Sequence, residues 1–299
     1  MKLSKIKIGI TGSNGFIGSH LIKRLSENKN LTLFPFDKTK YSLSSIDSLK
    51  DFVKDKDVIV HLAGLTKTDN ISDFYLTNTM GTLNLLEAIS RYAKKSIHFI
   101  FPSSFAVYKE IQKKELLTEE KTPALPRNHY GMSKLLAEEI IKYYNRKKKI
   151  KTGILRLANV YGPGGKLFVE KISDGKEVLI NGTGRQVRDF IYIDDVIEAF
   201  IKTISNQKDN FMLVNICSGE ETTIIDLIKK VEELLGKKAM IKYNKKDSQK
   251  GYWIGNGQLA LEKIGFQPKI GLVTGIKLTY EKTKDFDRRS GHRRNTTTF

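Results

Sequence analysis

Apolar positions along this chain recur in two periods, and their alternation predicts the order of its elements. Short apolar, β-branched runs at 7–11, 31–37, 57–63, 96–101, 178–180 and 213–217 read as strands. Between them, apolar residues at helical spacing mark a helix directly behind Gly18, one at 46–53 and a long one at 71–95, the last through Phe74, Leu76, Met80, Leu83, Leu86 and Ile89. Further helices open at Tyr130, running on through Ile141, at 193–204, at Thr222 or Thr223 towards Leu235, and at 259–264 and 273–280. Strands that alternate with helices in this way predict an α/β fold built on a Rossmann-type, doubly wound parallel sheet. Beyond Lys282 the apolar periodicity stops, and 285–299 is expected to be a disordered tail, in part foreign to the native protein.

The first strand ends in Thr11 and runs into Gly12, Asn14, Gly15, Phe16, Ile17 and Gly18, with the glycines at three-residue spacing before a helix. Without side chains there, the chain turns tightly, its N–H groups reach a pyrophosphate and the helix packs close to the sheet, the positive end of its dipole facing the anion. Taken alone, such a turn is equally a tight loop that binds nothing. The second strand, ending at Asp37 about 20 residues on, supplies the carboxylate that an adenosine ribose needs and so favours a dinucleotide. Asp37 would meet a 2′-phosphate with like charge, so NAD is preferred to NADP, although Lys38 and Lys40 act the other way. Leu43 falls where an adenine contact is expected, and Leu62, Ala63 and Gly64 end the strand that should lie beside the nicotinamide.

Composition narrows the partners. The 299 residues are 39% hydrophobic and 28% charged, as in a globular protein with one large core or two modest ones. Cys217 is the single cysteine, so no intramolecular disulfide forms, and no Cys/His cluster has the spacing of a metal site. We expect a cytoplasmic protein, since the first strand leaves no room for a signal peptide and no apolar run reaches the ~20 residues of a membrane span. The net charge of +19 invites a nucleic-acid partner, but the lysines are scattered over helix ends and loops and lack interleaved aromatics. Solvated faces, and attraction for a doubly anionic small molecule, account for them; neither nucleic acid nor membrane is expected as a partner.

The candidate chemistry lies where the 96–101 strand delivers Pro102, Ser103 and Ser104 to the carboxyl edge of the sheet, the edge on which open α/β folds place their sites. Tyr130 and Lys134 follow, four apart on one helix face. An ammonium near a phenol would lower the phenol's pKa from about 10 towards that of a general base. The spacing by itself is also that of surface decoration. Asn78, followed by Gly81 inside the long helix, either kinks it to serve a site or is simply tolerated.

In order, TGSNGFIG, HLAG, NTMGTLNLLEA, SSFAVY, YGMSK, LRLANVYGPG and RQVRDFIYIDDV resemble the extended short-chain dehydrogenase/reductases that act on nucleotide-sugars, nearest the NAD-dependent epimerases and dehydratases. The resemblance implies that Ser104 hydrogen-bonds the reacting sugar hydroxyl, Tyr130 is the acid/base, Lys134 holds the nicotinamide ribose and Asn78 contacts the cofactor region. Asn159, Arg188 and Asp189 fall in motifs that face the nucleotide diphosphate; Arg188 suits phosphate through its planar fork, or else pairs with a neighbouring Asp. Lys250 stands where an arginine is customary, and Tyr252 or Trp253 either stacks on the base or belongs to the core.

The same resemblance implies a dinucleotide-binding part over 1–160, rejoined by 189–213, and a smaller substrate lobe, interleaved in sequence, over 161–188 and 214–284. A homodimer is common in such proteins. The Asp-Glu pair of the sugar 4,6-dehydratases is replaced here by Phe105-Ala106, which argues against dehydration. The expected function is NAD-dependent 4-epimerisation of a UDP-sugar of the glucose/galactose kind through a transient 4-keto sugar. The alternatives are an NAD(P)H-dependent reductase of a 4-keto nucleotide-sugar and, from another class, a non-catalytic cofactor-sensing or RNA-associated protein on the same fold.

Overall fold

The computed structural model describes residues 5–111, 114–148, 150–165, 168–244 and 251–290. The first half of the chain runs β1 (Ile6–Thr11), α1 (Phe16–Leu25), β2 (Leu31–Pro35), α2 (Lys50–Val53), β3 (Val58–His61), α3 (Ile71–Phe74), a π turn (Tyr75–Met80), α4 (Gly81–Tyr92), β4 (His98–Ser104), a 3-10 turn (Phe105–Val107), β5 (Leu116–Leu117) and α5 (His129–Lys148). It continues with β6 (Lys151–Leu157), β7 (Asn159–Tyr161), α6 (Phe168–Ser173), β8 (Glu177–Asn181), β9 (Val187–Arg188), β10 (Phe190–Tyr192), α7 (Ile193–Asn206) and β11 (Phe211–Ile216). The last elements are β12 (Thr222–Thr223), α8 (Ile224–Leu235), β13 (Met240–Asn244), β14 (Tyr252–Gly255), α9 (Gln258–Ile264) and α10 (Leu272–Ser290).

The central sheet is parallel throughout, in the order β11-β6-β4-β3-β1-β2. Both faces are covered, as parallel sheets require. Successive residues of a strand therefore enter different cores: Val58 and Val60 pack with Leu21, Val196 and Phe200 of α1 and α7, while Ile59 packs with Leu85, Phe99 and Ile141 on the side of α4 and α5. This is why the strands read as continuous apolar runs rather than alternating ones. The chain leaves β1 for β2 on one side and crosses to β3 on the other, so the carboxyl ends of β1 and β3 frame the crevice in which open α/β sheets bind ligands.

Three features differ from the sequence expectation. The segment 71–95 is not one α-helix: α3 and α4 are joined by the π turn, and Asn78 sits inside it. β6, next to the edge strand β11, is not marked by the apolar pattern because Gly153 and Arg156 interrupt its run. α10 continues to Ser290, past residue 284, with no glycine or proline between Ile276 and Ser290 to stop it. Outside the main sheet, β12-β9-β14-β5 form a small second sheet, and β7 with β10 and β8 with β13 form two-stranded parallel ribbons. Among the described residues no helix is long and apolar enough to cross a membrane.

Candidate functional site

The turn after β1 leaves room for nothing but backbone. Gly12 has φ +66°, and a Cβ on it would lie 2.6 Å from the Ala63 nitrogen at the end of β3; a Cβ on Gly18 would lie 2.2 Å from the Gly12 oxygen. α1 therefore starts hard against the sheet. Among the described residues its N-terminus at Gly15 has neither a capping side chain nor an acidic residue in its first turn, so the positive end of its dipole borders the crevice uncovered by any side chain. That is a cradle fitted to an anion, and a dinucleotide pyrophosphate has the right charge and extent.

Beyond this cradle opens a crevice of ≈ 600 Å³. It gathers Gly12, Gly15, Phe16, Ile17 and Gly18 of the turn with Leu62 and Gly64 after β3, Ser104, Tyr130, Lys134 and Asn159. Thr66, Gly164 and Gly165 line it as well and were not foreseen. Ser104 is the N-cap of the 3-10 turn, its oxygen accepting the Ala106 N–H at 3.1 Å. α5 presses its first turn onto the same segment, for a Cβ on Gly131 would lie 2.1 Å from the Ala106 oxygen. This contact, made possible by glycine, brings the phenol of Tyr130 beside Ser104.

The electrostatics of the pair differ from the simple expectation that Lys134 acidifies Tyr130. Burial raises the Tyr130 pKa above its ordinary value, and the opposing influence is a hydrogen bond to Ser104. The Lys134 ammonium lies instead over the face of Phe101, 4.1 Å from the ring centre, and donates no hydrogen bond among the described residues. Burial lowers its pKa to about 7, with the Glu138 carboxylate acting in the opposite sense. A buried ammonium facing a crevice with donors to spare suits a ligand rich in hydroxyls, such as a ribose.

The other candidates are placed around this centre. Asp37 lies two residues beyond the end of β2; its carboxylate accepts Thr39 N at 2.9 Å and Thr39 Oγ1 at 2.7 Å, which holds its pKa below the usual range. Leu43 is tied by its carbonyl to Asn84 and packs on the core around Phe52. Asn14 is exposed on the glycine turn, and Ala63 gives its N–H to Thr11 Oγ1. Buried Asn78 exchanges hydrogen bonds with the backbone of Leu65 at 2.8 and 3.0 Å and donates to Ser133 Oγ at 2.9 Å, so the π turn kinks the helix to aim a side chain.

Arg188 donates to the carbonyls of Val187 and Gly251 and stacks over Trp253, while Asp189 takes both Ser218 donors, Gly219 N and Gly255 N. Tyr252 belongs to the small sheet, its hydroxyl bonded to Glu221, and Lys250 lies outside the described residues.

One cluster was missed altogether. Glu138, fully buried one turn beyond Lys134, receives Arg156 Nε at 3.0 Å and Nη2 at 2.6 Å and also the Ser103 hydroxyl. Arg156 stacks on Tyr108, whose hydroxyl donates to Asn215. The signal was present as a charge on the apolar stripe of a helix (Glu138 between Ala137 and Ile141) and another inside an apolar strand.

Residues 8–217 match the model of the NAD dependent epimerase/dehydratase family. The chain is 31% identical to a putative UDP-glucose 4-epimerase of Methanocaldococcus jannaschii, an alignment that covers 93% of this chain and 99% of that protein. It superposes on the UDP-glucose 4-epimerase of Thermotoga maritima, solved with UDP-glucose, with a TM-score of 0.81 at 29% identity over 94% of this chain and 99% of that one. For the UDP-glucuronic acid 4-epimerase of Bacillus cereus, solved with UDP-glucuronic acid and NAD, the TM-score is 0.78 at 26% identity over 94% and 100%. The glycine cradle, the Ser104, Tyr130 and Lys134 crevice and a match over most of the chain agree, and the protein belongs to the NAD dependent epimerase/dehydratase family.

Proposed function

We propose that this protein is a 4-epimerase of a UDP-sugar of the glucose/galactose kind that works with NAD. The observation that carries this reading is the meeting of Ser104, Tyr130 and Lys134 in the crevice that opens onto the glycine turn. NAD bound there supplies hydride exchange at the sugar carbon. The open N-terminus of α1 holds the pyrophosphate, Asp37 the adenosine ribose and Lys134 the nicotinamide ribose. Ser104 orients the C4 hydroxyl of the sugar, and the Tyr130 oxygen takes its proton once the phenol has given up its own, which the positive charges of Lys134 and of an oxidised nicotinamide would favour. Once the keto sugar has turned over in the crevice, Tyr130 returns the proton to the sugar oxygen and the carbon is inverted. Phe105 and Ala106 are buried and apolar and offer neither the acid nor the base that elimination of water needs, which supports epimerisation over dehydration. The UDP-glucose complex of the Thermotoga maritima enzyme supports a UDP-hexose as the ligand.

Incubation with UDP-galactose and NAD should yield UDP-glucose with no net change in the absorbance of reduced nicotinamide. One hydride consumed per product would replace the reading by that of a keto-sugar reductase, and no turnover with salt-sensitive polynucleotide binding would replace it by a non-catalytic role. Tyr130→Phe should bind NAD normally and lose about 10²- to 10⁴-fold in turnover, because only the proton-transfer group is removed.

A further inference from the structure

Behind the crevice lies a buried histidine that the reading above does not use. His61 ends β3, is 0% exposed and is flanked by the rings of Phe99 and Phe101 from β4. Thr11 of β1 meets its Nδ1 at 2.7 Å, and Thr82 of α4 meets its Nε2 at 3.2 Å. The charged group nearest to it in effect is Lys134 of α5, which together with burial lowers the imidazole pKa to about 3 and keeps the ring neutral.

The protons can be assigned. Thr82 Oγ1 gives its single proton to the Asn78 carbonyl at 2.6 Å, so it must accept from His61, and Nε2 carries the hydrogen. Nδ1 of a neutral ring is then bare and accepts from the Thr11 hydroxyl, whose oxygen accepts the Ala63 N–H at 3.1 Å. One directed chain therefore runs from the Ala63 N–H through Thr11, His61 and Thr82 to the Asn78 carbonyl. It joins the end of β1, where the glycine turn begins, to the π turn. From Asn78 the bonds continue through Ser133 Oγ to the Tyr130 carbonyl at 2.8 Å, on the first turn of α5.

We propose that His61 is a positioning residue, locked as the Nε2–H tautomer so that the glycine turn and the Asn78 turn are held in one register around the cofactor. The proposal rests on the function proposed above for its meaning in catalysis, but its test does not need sugar turnover. A ring with a donor on one side and an acceptor on the other is required; phenylalanine would supply neither, and a protonated histidine would donate from both nitrogens, so that Thr11 would have to turn its own proton away and accept instead.

Thr82→Val removes the far acceptor while keeping the side-chain shape, and Thr82→Ser keeps the hydroxyl. With sugar absent, Thr82→Val should bind NAD about tenfold or more weakly than the wild type, and Thr82→Ser within about twofold. In ¹⁵N-histidine spectra of the wild-type protein, the His61 signals, assigned by their loss in His61→Gln, should be those of a neutral Nε2–H ring from pH 5 to pH 8. An Nδ1–H tautomer, or titration near the ordinary 6.5, overturns the proposal even if Thr82→Val fails to fold. Normal NAD affinity in a folded Thr82→Val overturns it as well. A protein that passes these tests yet inverts no sugar would retire the proposed function and leave the role of His61 standing.

Discussion

Lys134 shows what a single site residue costs the fold. Its ammonium is buried against an aromatic face, and the nearest carboxylate in effect, Glu138, is already paired with Arg156. The folded-state pKa of about 7 lies below the ordinary lysine value of about 10.4. Between those values the unfolded chain binds the extra proton, so this group makes stability rise with pH; below about 7 both states are protonated and the full penalty remains. Lys134→Met, similar in length and uncharged, should therefore raise the melting temperature at pH 7 by several degrees and by less at pH 10, while abolishing turnover. Scans of both proteins at the two pH values check this, and a lower melting temperature for the variant at pH 7 would count against it. Removing Lys134 leaves Glu138 with its arginine and Ser103 partners, so the comparison is not confounded by a newly orphaned charge.

At the scale of elements, the site depends on how closely α5 lies on the turn that follows β4. Gly131 stands between Tyr130 and the rest of the helix, and the absence of its Cβ permits contact with the Ala106 carbonyl. A methyl group there meets backbone rather than a flexible side chain, so the helix must move. Overpacking of this kind costs about 1–3 kcal/mol, and a displacement of about 1 Å between positioned groups costs about 10² in rate. Gly131→Ala should therefore lower kcat about 100-fold and reduce thermal stability. NAD affinity should change much less, since the pyrophosphate cradle belongs to α1. Steady-state kinetics beside NAD titration separate the two effects; equal losses in both would mean that α5 supports the cradle rather than the reacting groups.

Over the whole molecule, what the sequence made legible was local. Three glycines in one turn, Asp37 at a strand end and Tyr130 with Lys134 on one helix face all follow from short-range geometry, and every strand of the central sheet but β6 follows from apolar runs. What stayed hidden depends on partners distant in the chain: Arg156 with Glu138, Thr11 with His61, Asp189 with the Ser218 turn, and Arg188 with the Gly251 carbonyl. His98 is of the same kind. At the start of β4, its Nε2 meets Gln207 Oε1 at 2.8 Å, and Gln207 spends its amide on the carbonyls of Thr152 and Asp209, so the imidazole is the donor. Burial brings its pKa down to about 4, as it brings that of His61 to about 3. From about pH 6.5 downward the unfolded chain therefore takes up two protons that the folded protein refuses, and stability falls as pH falls. Half-buried Glu119 and buried Asp189 and Asp195, whose pKa values burial raises, act in the opposite sense near their own titrations. His98→Gln cancels that background, because the carboxylates and His61 are common to both proteins. Unfolding free energies from urea melts at pH 7, 6 and 5 should fall less steeply for the variant, by a difference in slope that approaches one proton, or roughly 1.4 kcal/mol per pH unit, below about pH 6. Parallel pH dependences would mean that His98 is protonated in the folded protein and that Gln207 does not hold it as a neutral donor.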